Sequence, residues 1–225
     1  ENHKQSSSPT LFSRGQVFSI DNKNLSTTDA DTFKIKDSSF KGTVRLFGAD
    51  APELSVYDKY RATNSKERAE AKKHHEELIK KGDRDSKRSP VEYITQDFGN
   101  EARAASDQFI KSSKNLNLTY LGTDAYGRTL GSLSNEKGEK LNDYLIKQGL
   151  AMTELPSSQY FEGSVEAYQR YESMVEAYQN KKGIFSEEDF VNPTDFRKGE
   201  LKSFKKRLDT QIKLESYKEK GLGNS

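Results

Sequence analysis

The stretch VRLFGADAPEL, residues 44–54, begins as an apolar β-strand and ends on a carboxylate. Arg45 interrupts the apolar run, and two acids, Asp50 and Glu53, stand on either side of Pro52. Proline has no amide hydrogen for a strand ladder, so it ends the strand and lets the chain turn. The stretch is therefore either an ordinary exposed strand end or one half of an active site.

Four other segments show the alternation and the bounding turn residues that are typical of short strands. The polar segment between the first two of them, residues 21–31, is typical of a turn region. The predicted strands are GQVFSI (15–20), TFKI (32–35), TVRLFGA (43–49), LNLTYL (116–121) and RTLGSLS (128–134).

Helical patterns fall between and after these strands. Residues 64–83 are rich in helix formers and poor in apolar residues, which predicts a mostly solvated helix. The other predicted helices are 98–112, with Ala102, Ala105, Phe109 and Ile110 on one side; 141–151; 164–183; and 199–220, with Leu201, Phe204, Leu208 and Ile212 at helical spacing. This pattern predicts an α+β fold built on a five-stranded OB-fold β-barrel with packed helices.

We expect the chain to have three parts. Residues 1–14 are polar and Ser-rich, which is typical of a flexible linker. Residues 15–190 form the barrel domain, in which 54–97 is a helical insertion, and residues 191–225 form a charged helical extension. The extension either binds phosphate through its excess of basic residues or packs its apolar stripe on the barrel or on a second chain.

Composition excludes several classes of protein. The formal net charge of +2 over 225 residues is too small to indicate nucleic-acid binding by itself. The chain has no cysteine, which excludes disulfides and thiolate-held metals, and no apolar run reaches transmembrane length. Because the chain begins at Glu1, we expect a signal peptide or membrane anchor in a preceding segment, and a secreted or cell-surface lipoprotein.

Five short motifs together resemble the staphylococcal nuclease (thermonuclease) family. The family pattern runs D-G-D-T, V-R-L-x-G-x-D-x-P-E, Y/F-G-x-E-A, D-x-Y-G-R and a helix that ends in G-L-A. The chain carries them in the same order, as DADT (29–32), VRLFGADAPE (44–53), FGNEA (98–102), DAYGR (124–128) and LNDYLIKQGLA (141–151). One motif alone is a weak signal, but the five in order make the resemblance specific over about residues 15–185.

The resemblance implies a metal site. Asp31 and Asp50 stand where the family has two metal-binding carboxylates, and Ala51 stands where a backbone carbonyl adds a third protein oxygen. Carboxylate and carbonyl oxygens suit hard cations such as Ca²⁺. The family is Ca²⁺-dependent and cleaves DNA and RNA to leave 3′-phosphates, so we expect Ca²⁺ as the cofactor and both nucleic acids as substrates.

The resemblance also assigns the reacting groups. Glu53 matches the acid that orients or activates the attacking water, while Arg45 and Arg128 match the arginines that hold the scissile phosphate. The chemistry is sound without the family, because guanidinium groups grip phosphate oxygens and neutralise the charge that builds in the transition state. Beside Arg128, Asp124 and Tyr126 are further candidate substrate contacts.

The insertion starts directly after Glu53, so we expect it to emerge beside the substrate groove. Its helix, 65–81, either forms a flap that contacts nucleic acid through Lys72 and Lys73 or is a solvated surface helix. The departures from the family pattern are also informative. Ala30 replaces the glycine of D-G-D-T, and an alanine there would cost roughly 1 kcal/mol if the position needs a positive φ.

Two alternatives to a nuclease remain open from the sequence. Relatives that have lost catalysis serve as binding modules, although such a module has no need of Glu53. A sequence-tolerant single-strand binder would need exposed aromatic side chains on the sheet, and the predicted strands offer few. The sequence leaves the oligomeric state and the preference between DNA and RNA open.

Overall fold

The computed structural model describes residues 11–54, 56–57, 93–198 and 202–221, with positions 70, 73, 76, 77, 80 and 81 between them. Eight strands are defined: β1 (Val17–Ile20), β2 (Leu25–Asp29), β3 (Thr32–Lys36), β4 (Lys41–Leu46), β5 (Val56–Tyr57), β6 (Tyr93–Ile94), β7 (Leu116–Thr123) and β8 (Thr129–Ser134). Five helices are defined: α1 (Gly99–Ser112), α2 (Leu141–Lys147), α3 (Val165–Gln179), α4 (Pro193–Arg197) and α5 (Lys205–Glu219).

Six strands form one sheet in the order β1-β7-β8-β4-β3-β2. All neighbours are antiparallel except β4 and β8, which run parallel. The two edge strands, β1 and β2, are consecutive in the chain and are joined by only residues 21–24. The α+β class is confirmed, whereas the prediction of a closed five-stranded barrel is not confirmed, because the sheet has six strands.

The sequence analysis predicts no strand at β2, nor at the two-residue strands β5 and β6 within residues 54–97. The sequence of β2, LSTTD, is typical of a turn because it contains one apolar residue, Leu25, which is buried. The strand nevertheless pairs with β3 along its length, because Ser and Thr side chains are well tolerated on the less buried face of a sheet. The register shift between Thr27 and Asp29 bends it just before the DADT turn.

Strand β4 is shorter than predicted. It ends at Leu46 rather than at residue 49, because Gly48 takes a left-handed φ of +73° and starts a turn. Val44 and Leu46 are buried, while Arg45 between them lies on the opposite face. The bend at Gly48 therefore comes before Asp50, and the chain from Phe47 onward folds back toward the arginine.

The helix predicted at residues 199–220 begins later than predicted. An isolated antiparallel bridge between Val191 and Ser203 holds the chain extended there, and the amide of Phe204 donates to the carbonyl of Phe190. Helix α5 consequently begins at Lys205. Phe204 and Leu208 lie in the main hydrophobic core, so the extension packs against the sheet domain, as one of the two alternatives for it required.

The two ends of the insertion pair with each other. Strands β5 and β6 pair directly after Leu54 and before α1, and the Thr95 hydroxyl donates to the Leu54 carbonyl at 2.7 Å. The described positions between 70 and 80 are helical, as predicted, and Lys73 among them is exposed. Lys72 lies outside the described residues. Over the described part of the chain, no helix is both long enough and apolar enough to cross a bilayer.

Candidate active site

Three neighbouring strands bring the predicted site residues Asp31, Arg45 and Arg128 near one another. In the register of β3 and β4, Thr32 faces Arg45, so Asp31 lies next to the arginine. In the parallel register of β4 and β8, Leu130 faces Arg45, and Arg128 directly precedes the start of β8. The central position of β4 therefore explains how segments almost 100 residues apart reach the same site.

Arg45 is the centre of the cluster. Its Nη1 donates to the main-chain oxygens of Ala49 at 2.6 Å and Leu46 at 3.1 Å, which closes the turn after β4. Its Nη2 donates to Asp50 Oδ1 at 2.8 Å and lies 3.3 Å from Asp31 Oδ2. The side chain is only 15% exposed. Arg45 thus organises the local backbone and neutralises two acids at once.

Asp31 is a buried carboxylate that is held on both oxygens. The amide of Ala51 donates to Oδ2 at 2.8 Å, and the hydroxyl of Thr32 donates to Oδ1 at 3.2 Å. Burial raises the pKa of Asp31, and the negative charge of Asp50 raises it further, while Arg45 and these hydrogen bonds lower it. Ala51 contacts Asp31 through its backbone amide. The sequence analysis instead expected the backbone carbonyl of Ala51 to bind the metal.

Asp50 is fixed through its backbone as well as its side chain. Its amide and carbonyl form an antiparallel bridge with Met152, two hydrogen bonds of 2.8 Å, directly after the G-L-A segment. Its Oδ2 accepts a hydrogen bond of 3.0 Å from the hydroxyl of Thr194. Oδ1 accepts from Arg45 and, at 3.2 Å, from Arg197. The carboxylate is therefore held from three sides.

Glu53 is the third acid of the cluster and its side chain is 18% exposed. Its backbone pairs with Gln96 in both directions, since Gln96 N donates to the Glu53 carbonyl and Glu53 N donates to Gln96 Oε1. Its carboxylate accepts a hydrogen bond from Nη1 of Arg197. Burial raises the pKa of Glu53 to about 7, with Arg197 opposing the shift and Asp50 and Asp31 adding to it.

The hairpin between β7 and β8 holds the second predicted arginine. Asp124 accepts hydrogen bonds from the amides of Tyr126 and Arg128, both at 2.9 Å, and from Arg128 Nε at 2.7 Å. Burial works against the charge of Asp124, but these bonds outweigh it and lower its pKa. Tyr126 is 86% exposed, and the Arg128 guanidinium lies 5.6 Å from its ring centroid.

Asp29 shows that this hairpin lies close to the acid cluster. Burial raises the pKa of Asp29 and Asp31 adds to the shift, while the charges of Arg103, Arg45 and Arg128 all oppose it. Because the charges of both Arg45 and Arg128 act on the Asp29 carboxylate, both guanidinium groups lie within electrostatic range of the DADT turn. The hairpin thus places a further positive charge near the acid cluster.

The small residues around the DADT turn explain the departures from the family pattern. Ala30 is buried against Ala51 and Ala102, and its carbonyl accepts a hydrogen bond of 2.6 Å from Ser106. Its φ is not positive, since Phe98 and Lys181 alone have a positive φ among the described residues other than glycine. The strain that we considered for Ala30 therefore does not arise, and its methyl group fills a small apolar cluster.

Asp31 and Asp50 are the two acids that could share a cation. Asp31 Oδ2 and Asp50 Oδ1 both contact one nitrogen of Arg45, so the sum of those contacts sets an upper limit of about 6 Å on their separation. Two oxygens that bind one Ca²⁺ are at most about 4.8 Å apart, because Ca–O distances are about 2.4 Å, so this limit is compatible with a shared ion and does not by itself establish one. Within the described ranges, however, no three acidic or histidine side chains could hold a metal by themselves. Main-chain or water oxygens would have to complete the shell.

Two residues at the site were missed by the sequence analysis. Thr194 and Arg197, both on α4, contact Asp50, and Arg197 also contacts Glu53. The sequence does indicate where this helix begins, because Asn192 is its N-cap and Pro193 is its first residue. No motif, however, relates a short helix after residue 190 to acids almost 150 positions earlier.

The comparison with protein families agrees with this geometry. Residues 43–187 match the family described as staphylococcal nuclease homologue, and since this is more than half of the chain, the chain belongs to that family. The matched segment contains β4 from residue 43 onward, the hairpin and helices α1 to α3. The DADT turn precedes it and α4 follows it. No curated protein matches the chain. Family membership indicates a nuclease or a nucleic-acid-binding module.

Proposed function

We propose that the protein is a Ca²⁺-dependent nuclease that hydrolyses phosphodiester bonds in DNA and RNA with little sequence preference. The observation that carries this proposal is the convergence of Asp31 and Asp50 on one guanidinium nitrogen of Arg45, with Glu53 tied to the same cluster. A module that only bound nucleic acid would have no use for a trio of acids beside its phosphate-binding arginine, because carboxylates repel phosphate.

Each residue has a distinct task in this reaction. Asp31 and Asp50 would hold the cation, which supplies positive charge at the phosphoryl oxygens. Arg45 and Arg128 bind the non-bridging oxygens of the scissile phosphate, through charge-assisted hydrogen bonds that strengthen as charge develops. The fixed bond of Asp124 to Arg128 Nε sets the orientation of that guanidinium.

Glu53 acts on the attacking water. As a carboxylate it accepts the proton of the water while the oxygen bonds to phosphorus. The bond from phosphorus to the 5′-oxygen breaks as that oxygen takes a proton from solvent, so the phosphate stays on the 3′ side. A pKa raised to about 7 places this group near the value at which a general base is effective at neutral pH. The burial that raises the pKa also shields the base from bulk water.

The test is digestion of plasmid DNA and of a structured RNA in Ca²⁺ and in chelator, with end-labelling of the products. We expect cleavage of both substrates in Ca²⁺, none in chelator, and 3′-phosphate ends. A matched protein with Glu53→Gln keeps the size and hydrogen-bonding capacity of the side chain but removes the base. Cleavage by the variant equal to that of the wild type would show that a contaminant or another residue is responsible.

The second candidate function is that of a binding module with weak or absent catalysis. One observation favours it, namely that Asp50 is already engaged by Arg45, Arg197 and Thr194. These contacts compete with a cation for the same carboxylate. Binding of labelled DNA in Ca²⁺ with no product after prolonged incubation at high protein concentration would select this alternative.

A further inference from the structure

Arg197 differs from the other arginines of the site in the part of the chain that supplies it. It ends helix α4, beyond the segment that matches the family, and still reaches two of the three acids. Its Nη1 donates to Asp50 Oδ1 at 3.2 Å and to Glu53, and its Nη2 donates to the hydroxyl of Thr194 at 3.1 Å. Burial opposes its charge, but Asp50 and Glu53 outweigh that effect and raise its pKa.

The backbone that carries Arg197 is firmly anchored. Gln96, which pairs with the Glu53 backbone, donates through Nε2 to the carbonyl of Val191 at 2.9 Å, just before the helix. Within α4, Asp195 forms an ion pair with Arg207 of α5, and Leu208 of α5 is in the main core. The guanidinium is therefore presented to the site by a helix that is held at its start and by α5.

The acceptors of Arg197 differ in kind from those of Arg45. Arg45 directs Nη1 to two main-chain carbonyls and Nη2 to two carboxylates, so most of its five donors serve the protein itself. The acceptors of Arg197 are all side-chain oxygens of the site. Arg197 can exchange them for a ligand without leaving any main-chain group unpaired, and its side chain is 42% exposed.

Arg197 also faces the space where a substrate would lie. A cleft of about 320 Å³ adjoins the cluster, and both Arg45 and Arg197 line it, together with the exposed Tyr160. A cation held by Asp50 would weaken the attraction between that carboxylate and Arg197, because like charges repel. The guanidinium would then lie within reach of a phosphate and beside the base that activates water.

We propose that Arg197 is a third phosphate-binding arginine of the nuclease, supplied by the C-terminal extension. This inference rests on the proposed function, because it assigns to Arg197 a contact with the same scissile or adjacent phosphate that Arg45 and Arg128 bind. In the absence of cation and substrate, Arg197 rests on Asp50 and Glu53. It moves to the phosphate when the cation takes over the charge of Asp50.

The experiment compares Arg197→Ala and Arg197→Lys with Lys218→Ala as a matched control. Lys218 lies in the same extension and pairs with an acid, but that acid, Glu215, lies on the same helix α5 and is not among the predicted site residues. The first measurement is equilibrium binding of a single-stranded phosphorothioate oligonucleotide, which has the charge of DNA and is hydrolysed slowly, in Ca²⁺ over a series of salt concentrations. The second is kcat/KM for the matching phosphodiester oligonucleotide.

For Arg197→Ala we expect a 5- to 20-fold weaker affinity and a salt slope reduced by about 0.7, the value for one lost phosphate contact on a single strand. We expect kcat/KM to fall by roughly 10- to 100-fold, because a contact to the reacting phosphate is lost. Arg197→Lys should retain the salt slope and recover part of the rate, since the charge remains but the fork is lost. Lys218→Ala should change neither quantity, and thermal melting verifies that all variants fold.

Three results would overturn the proposal. Faster cleavage by Arg197→Ala would show that Arg197 only blocks the acids. Slower cleavage with an unchanged salt slope would show that Arg197 forms only a structural ion pair. An equal change in Lys218→Ala would assign the effect to the charge of the whole extension. If the wild type binds the oligonucleotides but does not cleave the phosphodiester, the proposed function is wrong. The salt dependence of binding still tests the phosphate contact of Arg197 in that case.

Discussion

Arg45 lies on β4, and Arg128 stands just before the adjacent strand β8, two residues before the register partner of Arg45, yet their surroundings differ. Arg45 is 15% exposed and contacts two main-chain carbonyls and two acids, whereas Arg128 is 35% exposed and its side chain pairs with Asp124 in its own hairpin. Arg45 is thus a structural residue as well as a candidate phosphate ligand. Arg128 depends on a local turn, so its loss should affect the reaction much more than the fold.

The largest expected effect is on turnover, and it should be similar for both arginines. Arg45→Ala and Arg128→Ala should each lower kcat/KM by at least ~10²-fold, because each removes a group that stabilises the transition state. Steady-state cleavage of a fluorogenic oligonucleotide in Ca²⁺ measures this. Arg14→Ala, which breaks an ion pair with Glu162, serves as the control and should retain the wild-type rate. Full activity in either site variant would show that the replaced arginine takes no part in the reaction.

The next effect should separate the two residues, and it concerns the free energy of unfolding. Arg45→Ala leaves the buried Asp31 without its cationic partner and should cost about 3–5 kcal/mol, whereas Arg128→Ala should cost less than about 1 kcal/mol. Urea denaturation in chelator measures both values. Ca²⁺ should restore part of the loss in Arg45→Ala, since a cation can replace the missing charge. Equal destabilisation by the two variants would contradict the structural role of Arg45.

Glu53 provides a pH-dependent test of the same buried cluster. Its pKa is raised from 4.5 to about 7 on folding, so the folded protein favours the protonated acid. The resulting stability is fully present below pH 4.5 and is lost as the pH rises through 7. Glu53→Gln does not ionise and should therefore match the wild type near pH 4, while being more stable by up to about 3 kcal/mol at pH 8 without a cation. Urea midpoints at the two pH values measure this difference, and a pH-independent difference would contradict the burial-driven shift.

The predicted site residues lie on or beside neighbouring strands of the sheet, while their roles stay predictions. Asp31 and Arg128 directly precede β3 and β8, which both pair with β4, the strand that carries Arg45. Strand β2 escaped prediction because its stability comes from pairing with β3 and from the burial of Leu25, rather than from an apolar pattern of its own.

Arg197 could not have been predicted from spacing. Its position depends on the packing of Phe204 and Leu208 in the core and on the link from Gln96 to Val191, which are tertiary contacts without a local signature. The apolar stripe of the extension was visible, but the sequence left open whether it packed on the sheet domain or elsewhere. Only the docked extension shows that a charged segment after the family match also completes the site.

The smallest effect should come from the residue that orients Arg128. Asp124→Asn keeps an oxygen for the amides of Tyr126 and Arg128 but loses the charge and the second oxygen that accepts from Arg128 Nε. We expect kcat/KM to fall by about 3- to 10-fold, with the free energy of unfolding changed by less than about 1 kcal/mol. A rate as low as that of Arg128→Ala would mean that nothing in the hairpin except the Asp124 carboxylate holds Arg128 in place. An unchanged rate would mean that the substrate alone orients the Arg128 guanidinium. Since Arg45 is held by main-chain carbonyls instead of a single carboxylate, no single side-chain change should loosen it as easily, and this difference in anchoring is what the Asp124 variant measures.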